Sequence, residues 1–213
     1  MIISKKHKYI YLACPKTGTT SIQRFLLEQD STAFRNKIVI DDQLIKFEGH
    51  SKINNIKKKL HNNFNEFQVI GFIRHPYSRI VSSYFFYKKG GKTASINPRK
   101  RGLIHNLRYL SAKILPFKIW ALVYPYKSNK EFFVDDKNET IVQHIGLFEN
   151  LNKDFEQILR KLDLNFDVSK LKKINKSNHK DINTYYKNRF FTSLINFKVR
   201  EDLRFYNSVK QGK

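Results

Sequence analysis

Three groups of residues have types and spacings suited to chemistry. The stretch Cys14-Pro15-Lys16-Thr17-Gly18-Thr19-Thr20-Ser21 is rich in hydroxyls around one glycine. Gly18 lets backbone approach a ligand closely. Thr19, Thr20 and Ser21 supply hydroxyl and amide groups at the start of an expected helix, where unsatisfied N–H groups and the helix dipole favour negative charge. Lys16 adds a mobile cation, so the whole suits an anion cradle. A plainer reading also stands, an ordinary Pro-Lys-Thr-Gly turn capped by threonine. The second group is Arg74 with Ser82: a planar fork that matches phosphate, and a hydroxyl to assist it. The third is His50, at a loop-to-helix junction from which a side chain can enter a cleft, although lone histidines are commonly structural.

These groups need elements to hold them. Tyr9 to Leu12 reads as a buried strand, and Ile22, Phe25 and Leu26 recur at helical spacing, so the first loop lies between strand and helix. Lys37 to Ile40 suits a short strand. Ser51 is a good helix N-cap, ahead of Ile53, Ile56 and Leu60 on one apolar face. Phe67 to Ile73 has the composition of a buried parallel strand. Pro76 suits a first helical turn, which puts Arg74 at a strand's carboxyl end and Ser82 about two turns into the helix. Ile141 to Leu151 reads as a strand turning into a helix, continued by Phe155, Ile158, Leu159 and Leu162. Residues 88 to 130 carry Pro98-Arg99-Lys100-Arg101 and an amphipathic run from Leu103 to Trp120, with Tyr126 beyond. They fit a packed helical hairpin with a solvated basic face, or membrane-surface docking.

The 213 residues suit one α/β domain, undivided by any linker. The net charge of +23 predicts attraction for polyanions, acidic membranes or phosphorylated ligands, or reflects a solvated basic surface. With Cys14 as the single cysteine, an internal disulfide framework and a cysteine-held metal are excluded, and a reducing compartment fits. No apolar run reaches the length of a signal peptide or a membrane span, so the expectation is a soluble, cytoplasmic chain. Lys16 precedes the only glycine of its loop by two residues, the wrong order for an ATPase phosphate loop; a P-loop kinase is therefore the weaker rival reading.

Taken together, Pro15 to Ser21 and Arg74 with Ser82 resemble the sulfotransferase superfamily dependent on 3′-phosphoadenosine 5′-phosphosulfate (PAPS), in particular its carbohydrate branch (family 2, uronyl 2-O-sulfotransferase-like). The resemblance implies that Lys16, Thr17, Gly18, Thr19, Thr20 and Ser21 hold the 5′-phosphosulfate, and that Arg74 and Ser82 hold the 3′-phosphate. His75 stands where the family usually has Asp or Asn. Gly49-His50-Ser51 is similar to the element supplying the general base in uronyl members; other branches use Glu, and Glu48 is the neighbouring competitor. Phe148-Glu149-Asn150-Leu151 resembles a family helix start, with Glu149 ordering the turn or backing the nucleotide, and His144 structural. Lys176 and Ser177 lie in a stretch similar to the loop that closes over the nucleotide. Phe197, Val199, Asp202, Leu203, Phe205 and Tyr206 resemble the closing helix, read as core packing.

The resemblance further implies a P-loop-like, three-layer α/β fold with a mostly parallel central sheet and helices on both faces. Residues 88–130 would be an acceptor-side helical insertion within a single domain over 1–213, with Arg99, Lys100, Arg101 and Arg108 available to an anionic substrate. The expected reaction moves a sulfuryl group from PAPS to a glycan or glycolipid hydroxyl, leaving the 3′,5′-bisphosphate PAP, with no metal and no specific nucleic acid. A non-catalytic polyanion-binding protein is the alternative.

Overall fold

In a computed structural model that describes residues 1–90, 103–172 and 179–212, the chain divides into two compact units. The first is Met1–His75, Ser128–Asn175 and Phe205–Lys213; the second is Pro76–Lys127 and Lys176–Arg204.

The first unit is built on strands β1 (Ile2–Ser4), β2 (Tyr9–Leu12), β3 (Ala33–Arg35), β6 (Gln68–Ile73) and β7 (His144–Leu147), in the spatial order β3-β1-β2-β6-β7. Strands β4 (Lys37–Ile40) and β5 (Gln43–Lys46) pair separately as a hairpin. All of β2 and Val69 to Ile73 of β6 are buried, the continuous apolar pattern of strands covered on both faces. The sheet is α/β but mixed, which corrects the expected mostly parallel arrangement. Strands β2, β6 and β7 run parallel, whereas β1 is antiparallel to both β2 and β3. The reason lies ahead of Tyr9: Ile2 and Ile3 are buried, and the chain turns back within Lys5–Lys8 to make a hairpin with β2.

Helices α1 (Thr19–Gln29), α2 (Ile53–Leu60) and α6 (Leu151–Lys161) bury the faces their spacing predicts: Ile22, Phe25 and Leu26; Ile53, Ile56 and Leu60; Phe155, Ile158 and Leu159. Phe155 meets Phe25 and Phe72 edge-on, with ring centroids 5.4 and 5.7 Å apart. Ser51 differs from its expected part. Lys52 occupies the cap position of α2, and the Ser51 hydroxyl instead donates back to the Glu48 carbonyl at 3.0 Å.

The second unit has its own aromatic core. Helices α3 (Pro76–Lys88), α4 (Leu103–Ile114), α5 (Phe117–Val123) and the first part of α7 (Arg189–Gln211) bury Ile80, Val81, Tyr84, Trp120, Phe191 and Ile195. Trp120 stacks on Tyr124 at 4.3 Å and Tyr77 on Tyr186 at 4.2 Å. Arg79 and Asp202 form a buried ion pair at 3.5 Å; the Tyr126 hydroxyl also donates to Asp202. In the closing helix Val199, Phe205 and Tyr206 are buried as expected, but Phe197 is 72% exposed. The helix breaks its regular geometry at Val199, so positions on either side do not share one stripe. Arg99, Lys100, Arg101, Lys176 and Ser177 lie outside the described residues.

Candidate active site

The first unit assembles its polar groups around the backbone that leaves β2. In the parallel sheet Leu12 pairs with Gly71 of β6, so the loop after Leu12 and the residue after Ile73 emerge at the same carboxyl edge. Ligands of α/β sheets gather at such edges.

The loop is shaped by its own side chains. The hydroxyls of Thr17 and Thr19 both donate to the Cys14 carbonyl, at 2.8 and 2.6 Å. Each hydroxyl has a single proton, so neither of these two offers it to an anion. This revises the expected role of Thr19, whose hydroxyl turns in to the loop's own backbone while its amide stays at the helix start. Lys16 and Gly18 both adopt positive φ, 67° and 75°, flanking Thr17. Such turns aim successive N–H groups to one side. Gly18 then caps α1, and the first helical bonds run from Ser21 and Ile22 to its carbonyl. The Thr19 and Thr20 amides therefore precede the hydrogen-bonded helix, as helix-start donors do. A Cβ on Gly18 would lie 3.0 Å from the Phe148 ring, so glycine serves both conformation and space.

Two distant residues dock on this backbone. His50 Nδ1 lies 2.7 Å from the Ala13 carbonyl. A carbonyl only accepts, so Nδ1 carries the proton and Nε2 is the basic nitrogen. Arg74 Nη1 donates to the Lys16 carbonyl at 3.3 Å, and its guanidinium sits 4.4 Å from the Phe148 ring centroid. Burial lowers the Arg74 pKa to about 10, opposed by Glu149, so the group is charged at neutral pH.

Glu149 fixes the chain just after Arg74. Its carboxylate accepts the His75 amide at 3.0 Å and the Tyr206 hydroxyl at 3.2 Å. The His75 ring meets Tyr206 edge-on at 5.0 Å; burial lowers its pKa, opposed by Glu149. His144 pairs with Gln68 at 3.1 Å across neighbouring strands. Glu48 is exposed.

The geometry thus gathers Lys16, Thr17, Gly18, Thr19, Thr20, Ser21, His50 and Arg74 in one unit. Ser82 is buried in α3 of the second unit. The supporting parts played by the Ala13 and Cys14 carbonyls and by Phe148 had no sequence signal, because carbonyl partners and ring platforms depend on tertiary placement. Among the described residues no group of three or more His, Cys, Asp or Glu is placed to hold a metal, and no helix is long and apolar enough to cross a membrane.

A family model described as "Sulfotransferase family" matches residues 1–110, just over half of the 213. It takes in the loop, His50, Arg74 and Ser82. The chain belongs to the sulfotransferase family, in the branch of PAPS-dependent carbohydrate sulfotransferases. Neither the curated proteins nor the solved structures returned a match. The family chemistry is sulfuryl transfer, with PAPS as donor and PAP as product. An anionic donor suits the residues present, since Lys16, Arg74 and the amides before Ser21 all offer positive or donor groups.

Proposed function

We propose that this protein moves the sulfuryl group of PAPS to a hydroxyl of a glycan or glycolipid acceptor. The observation that carries this reading is the convergence of His50, the Thr17 and Thr19 hydroxyls and Arg74 on the carbonyls of Ala13, Cys14 and Lys16. A cationic fork and a base of defined tautomer are thereby held against one anion cradle.

The acceptor oxygen forms a bond to sulfur as the bond from sulfur to the phosphate oxygen breaks. His50 Nε2 takes the acceptor's proton, while Lys16 and the loop amides stabilise negative charge on the departing phosphate. Thr17 shapes the loop, Thr20 and Ser21 lend hydroxyls, and Arg74 pairs with the 3′-phosphate of the nucleotide. Ser82 and Ser177 are assigned to the 3′-phosphate and to closure over the nucleotide. The reaction as written needs no metal. Glu48 is the second candidate for the base.

We read residues 1–213 as one P-loop-like, three-layer sulfotransferase domain, because the chain passes between its two units four times and the family match runs on from the first unit into the second. A buried Cys14 as the only cysteine favours a cytoplasmic setting. A protein that only adsorbs polyanions would explain the net charge, but gives no reason for a histidine held in one tautomer at the cradle.

Calorimetric titration with PAP, against 5′-AMP and ATP with magnesium as controls, tests the donor site. Preference for the bisphosphate without metal is expected. Equal, salt-sensitive binding of all three would withdraw the enzyme reading.

A further inference from the structure

The second unit concentrates both charge and exposed apolar surface. Residues 76–127 and 176–204 contain 18 Lys and Arg against 3 Asp and Glu, a net +15 of the chain's +23. No acidic residue occurs between Pro76 and Lys127, and one of the three acids, Asp202, is buried against Arg79.

Three helices of this unit leave apolar stripes open. On α4, Leu107, Leu110 and Ile114 are exposed at i, i+3 and i+7; on α5, Ile119, Leu122 and Val123 at i, i+3 and i+4. On α7, Phe190, Leu194 and Phe197 are exposed at i, i+4 and i+7, Phe190 to 75%. This spacing normally marks a face turned to a core. Here Ala112, Trp120, Ala121, Phe191 and Ile195 already fill that core, so the stripes are a second apolar face. The Lys198 ammonium donates to the Ala121 carbonyl at 3.0 Å and to that of Leu122, which joins the exposed end of α5 to α7 beside Phe197.

Exposed cations are interleaved with these stripes. Arg200 lies 5.0 Å from the Phe197 ring centroid and Lys113 4.7 Å from that of Tyr109, while Lys118 precedes Ile119. Protein interfaces are depleted of lysine at their centres. A second copy of this chain would bring two strongly basic faces together. A soluble polyanion would answer the charge and leave the aliphatic stripes in water. Helices that lie in a membrane surface combine the two features, with Lys and Arg at headgroup level beside buried Leu, Ile and Phe.

We propose that the second unit docks peripherally on an anionic lipid bilayer, with these stripes entering the acyl boundary and the surrounding Lys and Arg pairing with headgroups. The proposal stands independently of the sulfuryl-transfer reading.

Sedimentation of the full chain with vesicles of phosphatidylcholine, alone or mixed with phosphatidylglycerol, tests it. Wild type is expected to bind the anionic vesicles and to stay partly bound at high salt, because apolar insertion is not screened. The exposed-site variant Ile114→Glu/Val123→Glu/Phe197→Glu is expected to lower partitioning at least ~tenfold with Trp120 emission unchanged. If the triple variant loses its native emission, single Ile114→Glu carries the same expectation. Lys113→Ala/Lys118→Ala/Arg200→Ala should narrow the preference for anionic over neutral vesicles. Binding unaffected by the glutamates would reduce the effect to charge adsorption and overturn the proposal. So would failure to bind anionic vesicles, or a lipid-free dimer that the glutamates dissociate.

Discussion

Arg74 sets its guanidinium over the Phe148 ring and bonds the Lys16 carbonyl, which holds it beside the cradle. Arg74→Ala removes the charge and the ring contact together, and should weaken PAP binding by at least ~1.5 kcal/mol. Arg74→Lys keeps a charge but not a planar fork, so it should recover only part of the loss. Unchanged affinity in calorimetry would take Arg74 out of the site. His50 makes the complementary case, since its contact is with backbone and its proposed task is a proton. His50→Ala should leave PAP affinity nearly intact and lower turnover by roughly a hundredfold. His50→Gln retains a donor and cannot act as a base, so a similar loss is expected there. Normal turnover in both variants would move the role to Glu48.

At the scale of elements, the decisive arrangement is two parallel strands ending side by side, each followed by a turn into a helix. Gly18 sits at the tighter of these turns. Gly18→Ala meets a φ of 75° and a ring carbon 3.0 Å away, and should cost ~1–3 kcal/mol in urea unfolding. A midpoint equal to wild type would mean that the loop relaxes freely. The β6-to-α3 junction makes a pH prediction. Burial lowers the His75 pKa below 6.5, so the folded state favours the neutral ring and the unfolded chain binds more protons as pH falls. That stability is complete above about pH 6.5 and declines as pH falls through the lower folded value. His75→Gln should flatten stability between neutral and mildly acidic pH in the ligand-free protein. The same elements show what was readable beforehand. The β2 loop, the β6 run and the faces of α1, α2 and α6 were legible because periodicity and turn residues act locally. Strands β1 and β3 were not: three residues carry no period, and the Lys5–Lys8 turn lacks the Asn-Gly type of signal. The inward turn of Thr19 and the docking of His50 on Ala13 depend on contacts that spacing does not encode.

For the molecule as a whole, each unit has a core of its own, and the chain's single tryptophan, Trp120, lies fully buried in that of the second. Its fluorescence therefore reports the second unit, while PAP binding reports the donor site whose cradle belongs to the first. The second unit also contains the strongest candidate for a stability determinant, Asp202, which pairs with Arg79 and accepts the Tyr126 hydroxyl at a buried position. Asp202→Ala leaves the Arg79 guanidinium buried without its counter-charge. Breaking a buried pair from one side costs about 3–5 kcal/mol, more than replacing both partners by apolar groups. The urea midpoint followed by Trp120 emission should fall accordingly, whereas PAP affinity in buffer, where the variant is still folded, should hold. Asp202→Asn keeps an acceptor for Tyr126 and should lose less. The double variant Arg79→Met/Asp202→Leu removes the stranded charge altogether and should recover much of the deficit. An Asp202→Ala midpoint equal to wild type would show that the pair contributes nothing to holding the second unit together. A double variant no better than the single would place the contribution in the Tyr126 hydrogen bond instead.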